Sequence, residues 1–218
     1  MNSTIQHQLN HRTKRFFEKR AVPEETLEMF LDVINRTASS NGLQLASCLR
    51  ITDPQQKAKI SQVCQQAYVT DCPELFIFIV DVYKAKRILQ AKGAETIHCH
   101  NWDQFFKGAA DAYLMAQNLT NAVESCDMGA VYLGSILNDS QAIIDLLELP
   151  ELTFPLIGVG FGYPMAQPEL KPRMPMELRL SENTYQVEED YLELLKDYDQ
   201  EMTHYYDTRQ KNQRSDTY

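Results

Sequence analysis

Positive charge is concentrated in two short segments of a chain that is otherwise acidic. Residues 11–15 read His-Arg-Thr-Lys-Arg, whereas the whole chain of 218 residues has a net charge of −9 at pH 7. A second segment contains Lys171 and Arg173 among prolines, which fix φ at about −65° and stiffen the backbone. Arginine and lysine are the side chains that bind phosphate groups. Two such clusters, each next to apolar segments, predict convergence on one buried anion.

The spacing within the first cluster predicts how its cations are aimed. Residues three and four apart share one face of a helix, so we expect Arg12 and Arg15 to point the same way and Lys14 to be turned aside. The alternative is a solvated helix face, which is the usual role of a short run of charges. Either way, the planar donor fork of arginine fits a phosphate group.

Composition limits the classes of protein that the chain can represent. Its 44% apolar and 23% charged residues are typical of a packed globular protein, and no stretch resembles a linker. The negative net charge argues against general nucleic-acid binding, which needs a basic face. The longest apolar run, residues 75–80, is far shorter than the roughly 20 residues of a membrane-spanning helix. We therefore predict a buried strand there and no membrane partner.

The cysteines and histidines suggest neither a metal site nor a catalytic thiol. The five cysteines are odd in number and show no Cys-x-x-Cys spacing, and the first residues lack the apolar core of a secretory signal. Both observations predict a cytoplasmic protein. His98, Cys99 and His100 are possible ligands, but neighbouring side chains point apart and no further ligand types cluster nearby. No third group that would orient a Cys-His nucleophile can be named either.

Hydrophobic periodicity and capping residues predict alternating helices and strands. The predicted helices cover residues 23–37, 54–66, 105–126, 140–147 and 188–206. The predicted strands cover residues 49–51, 75–82, 130–133 and 154–163. Residues 83–102 have no clear period, and we expect a helix and a surface loop there. Apolar residues recur at intervals of four and three between residues 191 and 205, which predicts a seam for a partner helix within the chain or across a dimer.

Three polar segments follow these elements. Ser39 and Ser40 precede Asn-Gly in a predicted turn, Gln66 and Tyr68 follow a helix, and residues 133–135 follow a strand. On composition alone, Gln66 and Tyr68 fit the surface end of a helix. The Gly-Val-Gly-Phe-Gly stretch at residues 158–162 lacks the spacing and the following helix of a dinucleotide fingerprint. Its glycines instead predict close approach of another backbone or a flat ring.

Together, these segments resemble the flavin-binding frame of the FMN-dependent nitroreductase and flavin reductase family, in particular its NADPH-preferring, oxygen-insensitive branch. The resemblance runs from about His11 to the last residue. It implies an α+β fold with a mixed, mainly antiparallel sheet flanked by helices. It also implies an intertwined homodimer with FMN in two sites at the subunit interface. The chain would be one domain over residues 1–218, with the helical segment 188–206 and the tail 207–218 at the dimer and coenzyme site.

The resemblance also assigns roles to individual residues. Arg15 matches the cation beside the pyrimidine edge of the flavin, where it stabilises the negative charge of reduction, and Gln66 matches an amide that bonds the same edge. Arg209 and Arg214 match the arginines that engage the 2′-phosphate of NADPH. Thr13 replaces the commoner serine, and Ser135 replaces a frequent glycine and narrows the pocket. The implied FMN-binding residues are His11, Arg12, Thr13, Arg15, Ser39, Ser40, Gln66, Tyr68, Leu133, Gly134, Ser135, Lys171 and Arg173.

The implied activity is a ping-pong oxidoreductase reaction. NADPH or NADH gives a hydride to FMN, and a nitroaromatic, a quinone, a chromate-like oxidant or free flavin then takes two electrons. Because the flavin carries the chemistry, no catalytic side chain is predicted. The alternatives are a flavin-binding carrier or redox sensor without turnover, and a ring-modifying relative with a lid in residues 83–102. Related sequences usually continue for one more helical segment, so we expect either a truncated chain or an incomplete substrate clamp.

Overall fold

The longest apolar run of the sequence lies inside an antiparallel sheet. It forms β2 (Glu74–Asp81), whose neighbours are β1 (Ala46–Arg50) and β4 (Thr153–Gly162), with β3 (Gly129–Leu133) on the far side of β4. The strand order is β1-β2-β4-β3, and each of these three pairs is antiparallel. The first seven residues of β2 are buried, as expected for an apolar run without alternation.

In this computed structural model, which describes residues 2–207, the chain divides into two compact units, residues 1–168 and 169–218. The prediction of a single domain over residues 1–218 stays a prediction. Within the described residues, the first unit contains the sheet and the helices α1 (Ser3–Leu9), α2 (Glu24–Asn35), α3 (Pro54–Cys64), α4 (Val82–Ala91), α5 (Trp102–Ser125) and α6 (Ser140–Leu146). The second unit contains α7 (Tyr191–Asp207). The predicted α+β architecture is confirmed.

The two faces of the sheet bury separate sets of side chains. Successive residues of a strand point to opposite faces, so Phe76 and Phe78 pack with α2 and α5 on one side. Ile77 and Ile79 join the core on the other side, which includes residues of α3 and α6. Helices therefore cover both faces of β2. This explains why its sequence lacks polar residues at alternate positions.

Small residues allow α5 to approach the sheet closely. Ala112 and Ala116 are buried on its inner face. At Gly108, an added Cβ would lie 2.6 Å from the carbonyl oxygen of Leu45 and 2.8 Å from Cγ1 of Val80. These separations are too short for real contacts, so this turn of α5 requires glycine. The predicted helix over residues 105–126 is confirmed and begins one turn earlier.

Local capping explains several other boundaries. Asp53 accepts a hydrogen bond of 2.9 Å from the backbone of Gln55 and Pro54 follows it, so α3 begins as predicted. Asp81 caps α4 in the same way by accepting from the backbone of Lys84 at 3.1 Å. Residues 83–102 thus contain most of α4 and a short 3-10 turn, Ile97–His100. Among residues 2–207, no helix has the length and apolar character needed to cross a membrane.

We predict that Gly108→Ala destabilises the protein by about 1–3 kcal/mol, because the added methyl group overpacks the contact between α5 and the sheet. Helix propensity alone would stabilise this variant by about 1 kcal/mol. Ala110→Gly, at an exposed position of the same helix, is the matched control and should lose about 1 kcal/mol. Urea unfolding monitored by circular dichroism measures both changes, and a more stable Gly108→Ala variant would contradict the packing described.

Candidate cofactor-binding site

The first basic cluster lies beside β3 and is not helical. The backbone N–H of Lys14 donates to the carbonyl of Ala130 at 2.9 Å, and Phe17 forms an isolated bridge with Pro164. Because the backbone N–H of Lys14 pairs with a strand, the prediction that Arg12 and Arg15 share a helix face is wrong. The two arginines instead contact different groups. Five residues of sequence carry too little periodicity to distinguish these two conformations.

Arg12 and Lys14 lie close together in a partly buried, positively charged environment. Lys14 is only 8% exposed, and its Nζ donates to Oε1 of Gln167 at 2.6 Å. Burial lowers the pKa of Lys14, and the charge of Arg12 lowers it further. Arg12 donates from Nη1 to the carbonyl of Asn10 at 2.9 Å. Its buried Nε has no hydrogen-bond partner among residues 2–207. That N–H is a donor available to a ligand, since buried donors are normally paired.

His11 faces the C-terminal part of α5. Its Nδ1 lies 2.6 Å from Oε1 of Glu124, which is itself largely buried. Glu124 also lines a cavity of about 160 Å³ together with Arg12 and Lys14. A carboxylate in this position offsets part of the local positive charge and fixes the orientation of the imidazole. Glu124 was not predicted from the sequence, because nothing in its spacing distinguishes it from Asp103 and Asp111, the other acidic residues of α5.

Arg15 interacts with Tyr68 and not with the groups that Arg12 and Lys14 contact. Burial raises the pKa of Tyr68, while the charge and a hydrogen bond from Arg15 oppose that rise. The Tyr68 hydroxyl donates to Oε1 of Gln66 at 2.7 Å, and Oγ of Ser135 donates to the same oxygen at 3.1 Å. The structure therefore brings together four of the residues predicted from the sequence: Arg15, Gln66, Tyr68 and Ser135.

Two chain reversals bring Gln66 and Tyr68 next to Ser135. Gln65 ends α3 in the left-handed conformation, with φ of 52°, and Gln66 then donates from its backbone to the carbonyl of Ser61 at 3.1 Å. On the neighbouring segment, the buried Leu133 ends β3, and a 3-10 turn begins at Gly134. Gly134 is exposed and would have no atom within 4 Å of an added Cβ, so its backbone is open to approach by a flat ring.

Ser39 and Ser40 lie elsewhere on the first unit, bound to Asp111 near the middle of α5. Asp111 is 3% exposed and accepts from Oγ of Ser39 at 2.8 Å, from the backbone of Ser40 at 3.0 Å and from the backbone of Leu45 at 3.1 Å. Asp111 and Glu124 are separated by about 20 Å along α5, at 1.5 Å per residue. Within one chain, the two serines are therefore not brought to His11.

The second basic cluster belongs to the second unit. Lys171 Nζ lies 5.5 Å from the centre of the Tyr206 ring, in the last turn of α7, which is within the range of a cation–π interaction. Arg173 donates from Nη1 to the carbonyl of Lys171 at 3.3 Å. Both side chains are exposed. Arg209 and Arg214 lie outside the described residues, so their predicted coenzyme contacts stay predictions.

Burial makes several cysteines poor nucleophiles. It raises the pKa of Cys48 and Cys64, and it raises the pKa of Cys72 to about 12. Because their pKa values are raised, these thiols are protonated near neutral pH, and the reactive form is the thiolate. Cys99 is buried in the 3-10 turn of residues 97–100. Within the described part of the chain, no group of three histidine, cysteine or acidic side chains could hold a metal ion.

Asp111→Asn should destabilise the protein by about 2–4 kcal/mol, because the new amide N–H₂ would face a hydrogen-bond donor that now donates to the carboxylate. Asp145→Asn is the matched control, since Asp145 is exposed on α6 and its carboxylate accepts, among residues 2–207, only from the side chain of Gln141 at 2.8 Å. This control should stay within about 0.5 kcal/mol of the parent protein. Urea midpoints measure both, and equal effects of the two substitutions would refute the role given to Asp111.

Comparison with known proteins identifies the family. Residues 9–163 match the model of the nitroreductase family, and residues 171–218 match the C-terminal domain of the same family. The oxygen-insensitive NADPH nitroreductase of Salmonella typhimurium is 34% identical over 100% of this chain and 88% of the relative. The FMN reductase (NADPH) of Bacillus subtilis is 30% identical over 100% of this chain and 89% of the relative.

A solved structure gives the same result. The NADPH:FMN oxidoreductase from Vibrio harveyi, complexed with NAD+, is 33% identical, with a TM-score of 0.85 over 94% of this chain and 87% of that chain. The family matches cover both basic clusters and the segments that contain Gln66, Tyr68 and Ser135. The family membership predicted from those segments is therefore confirmed, and the chain belongs to the nitroreductase family.

Proposed function

We propose that this protein is an FMN-dependent NAD(P)H oxidoreductase that transfers two electrons, in ping-pong order, to nitroaromatics, quinones or free flavins. The observation that carries the proposal is the cluster of Arg15, Tyr68, Gln66 and Ser135 beside the open backbone of Gly134. The family of the chain and the names of its relatives support the same function. They do not favour the alternative of a carrier or redox sensor without turnover.

The donor set of this cluster fits the polar edge of FMN. That edge presents carbonyl oxygens and becomes negatively charged on reduction, and the cluster offers a guanidinium group and an amide. The buried Nε of Arg12, which has no partner among residues 2–207, fits an anionic oxygen of the phosphate. When bound, FMN supplies the capacity to accept a hydride and to pass on its two electrons.

Several side chains would hold this group in place. We assign the ring to Arg15, Gln66, Tyr68 and the segment from Leu133 to Ser135. The assigned phosphate ligands are His11, Arg12, Thr13, Lys171 and Arg173. Arg15 would stabilise negative charge at the pyrimidine edge, and the backbone of Gly134 and Ser135 would face the reactive side. Catalysis then depends on orientation and electrostatics and not on a side-chain acid or base.

A homodimer would complete the site. Ser39 and Ser40 lie about 20 Å from His11 along α5, so a second copy is the source we propose for the serines of each site. An apolar surface for association is present on α5, where Trp102 is 74% exposed and Phe106 is 66% exposed. Exposed aromatic side chains of this size are typical of protein interfaces.

Loss of Arg15 should weaken FMN retention and slow flavin reduction. We expect Arg15→Ala to raise the Kd for FMN about 10- to 100-fold, because a charge-assisted hydrogen bond contributes about 1.5–3 kcal/mol. Arg87→Ala, on the exposed side of α4, is the matched control and should leave the Kd unchanged. Fluorescence titration measures the Kd, and anaerobic NADPH should bleach the visible flavin band. A parent protein that binds no FMN or is not bleached would refute the proposed function.

Coenzyme preference is tested at the C-terminal arginines. If Arg209 binds the 2′-phosphate, Arg209→Ala should raise KM for NADPH about tenfold or more and leave KM for NADH nearly unchanged, because only NADPH carries that phosphate. Lys211→Ala is the neighbouring control. Steady-state kinetics with both nucleotides and a fixed quinone supply the measurement. Equal changes in the two KM values would remove Arg209 from this role.

A further inference from the structure

The amide of Gln66 is held in one orientation by two hydroxyl groups. We infer that Tyr68 and Ser135 are positioning residues that hold the carbonyl oxygen of Gln66, so that its amide nitrogen donates to a carbonyl of the flavin and does not accept from the flavin N3–H. This inference rests on the proposed function, because it concerns how the same site recognises FMN. It specifies the polarity of the contact, which neither the sequence nor the family match determines.

The first argument is the number of hydrogen bonds on one atom. Oε1 of Gln66 accepts from the Tyr68 hydroxyl at 2.7 Å and from the Ser135 hydroxyl at 3.1 Å. An amide oxygen has two lone pairs, and the two hydroxyl groups use both. The oxygen therefore has no lone pair left for a donor on the ligand.

The second argument excludes the flipped amide. Arg15 can only donate, and its hydrogen bond to Tyr68 therefore uses the phenolic oxygen as an acceptor. Burial raises the pKa of Tyr68, so the phenol keeps its proton near neutral pH and must place that proton on another acceptor. The carbonyl oxygen of Gln66 is that acceptor. A flipped Gln66 would present N–H₂ to Tyr68, and the phenolic proton would lose the acceptor that it has in this structure.

The third argument concerns the other end of the amide. Within residues 2–168, no protein atom accepts a hydrogen bond from Nε2 of Gln66, although the side chain is half-buried. Two N–H donors are thus available on the amide that Tyr68 and Ser135 hold. The hydrogen bonds run in one direction, from Arg15 to Tyr68 to Gln66, so each polarises the next and strengthens the final donor. An electron-rich carbonyl is the ligand group that matches it.

Infrared spectroscopy of bound FMN labelled with ¹³C at C2 or C4 tests this polarity. A donated hydrogen bond lowers the stretching frequency of the carbonyl that accepts it. We expect one labelled carbonyl to absorb at lower frequency in the parent protein than in Gln66→Ala. Tyr68→Phe and Ser135→Ala, alone and combined, should move the band in the direction of the Gln66→Ala position. Tyr83→Phe combined with Ser125→Ala removes two hydroxyls elsewhere and should not move it.

A second measurement uses 3-methyl-FMN, which lacks N3–H but retains both carbonyls. The ratio of its Kd to that of FMN should be the same in the parent protein and in Gln66→Ala, because the amide makes no bond to N3–H. A ratio at least fivefold smaller in Gln66→Ala, or carbonyl bands that none of the substitutions moves, would overturn the inference. FMN binding with NADPH bleaching but without these signatures would refute only this inference, whereas absence of FMN binding would refute the proposed function as well.

Discussion

The backbone hydrogen bond from Lys14 to Ala130 determines where the cations of the N-terminal segment lie. It places a chain segment with three fixed positive charges beside β3. The turn that contains Gly134 and Ser135 directly follows this strand. Gly129 is part of this arrangement, since an added Cβ there would collide with the Lys14 side chain. The absence of a side chain at Gly129 therefore allows the basic segment to approach the sheet.

Concentrating cations in this way has an energetic cost, which nearby acceptors reduce. Lys14 is buried next to Arg12, and both desolvation and the second charge disfavour its protonated form. The amide oxygen of Gln167 accepts from Lys14, and Glu124 supplies the opposite charge near His11. A bound phosphate would add negative charge at the same place. The site is thus arranged so that an anionic ligand relieves repulsion already present in the protein.

Much of the fold could be predicted from the sequence because its elements are long and clearly capped. The run of residues 75–80 could only be a buried strand, and Asp53 with Pro54 marked the start of α3. The site was less predictable. The conformation of residues 11–15 depends on pairing with β3, which is distant in sequence. The prediction that Arg12 and Arg15 share a helix face was therefore wrong. Asp111 was missed, although a carboxylate next to the buried Ala112 on the inner face of a helix is a signal that a partner must exist.

The exposed aromatic end of α5 has a consequence for spectroscopy. Trp102 is the sole tryptophan of the chain, and most of its surface is accessible to water. Its indole packs edge-on against Phe105, with ring centres 5.5 Å apart. Ultraviolet-excited emission from this protein therefore comes chiefly from one indole at one known place. Its wavelength and quenching by iodide report on the hydration of that end of α5 without any added label.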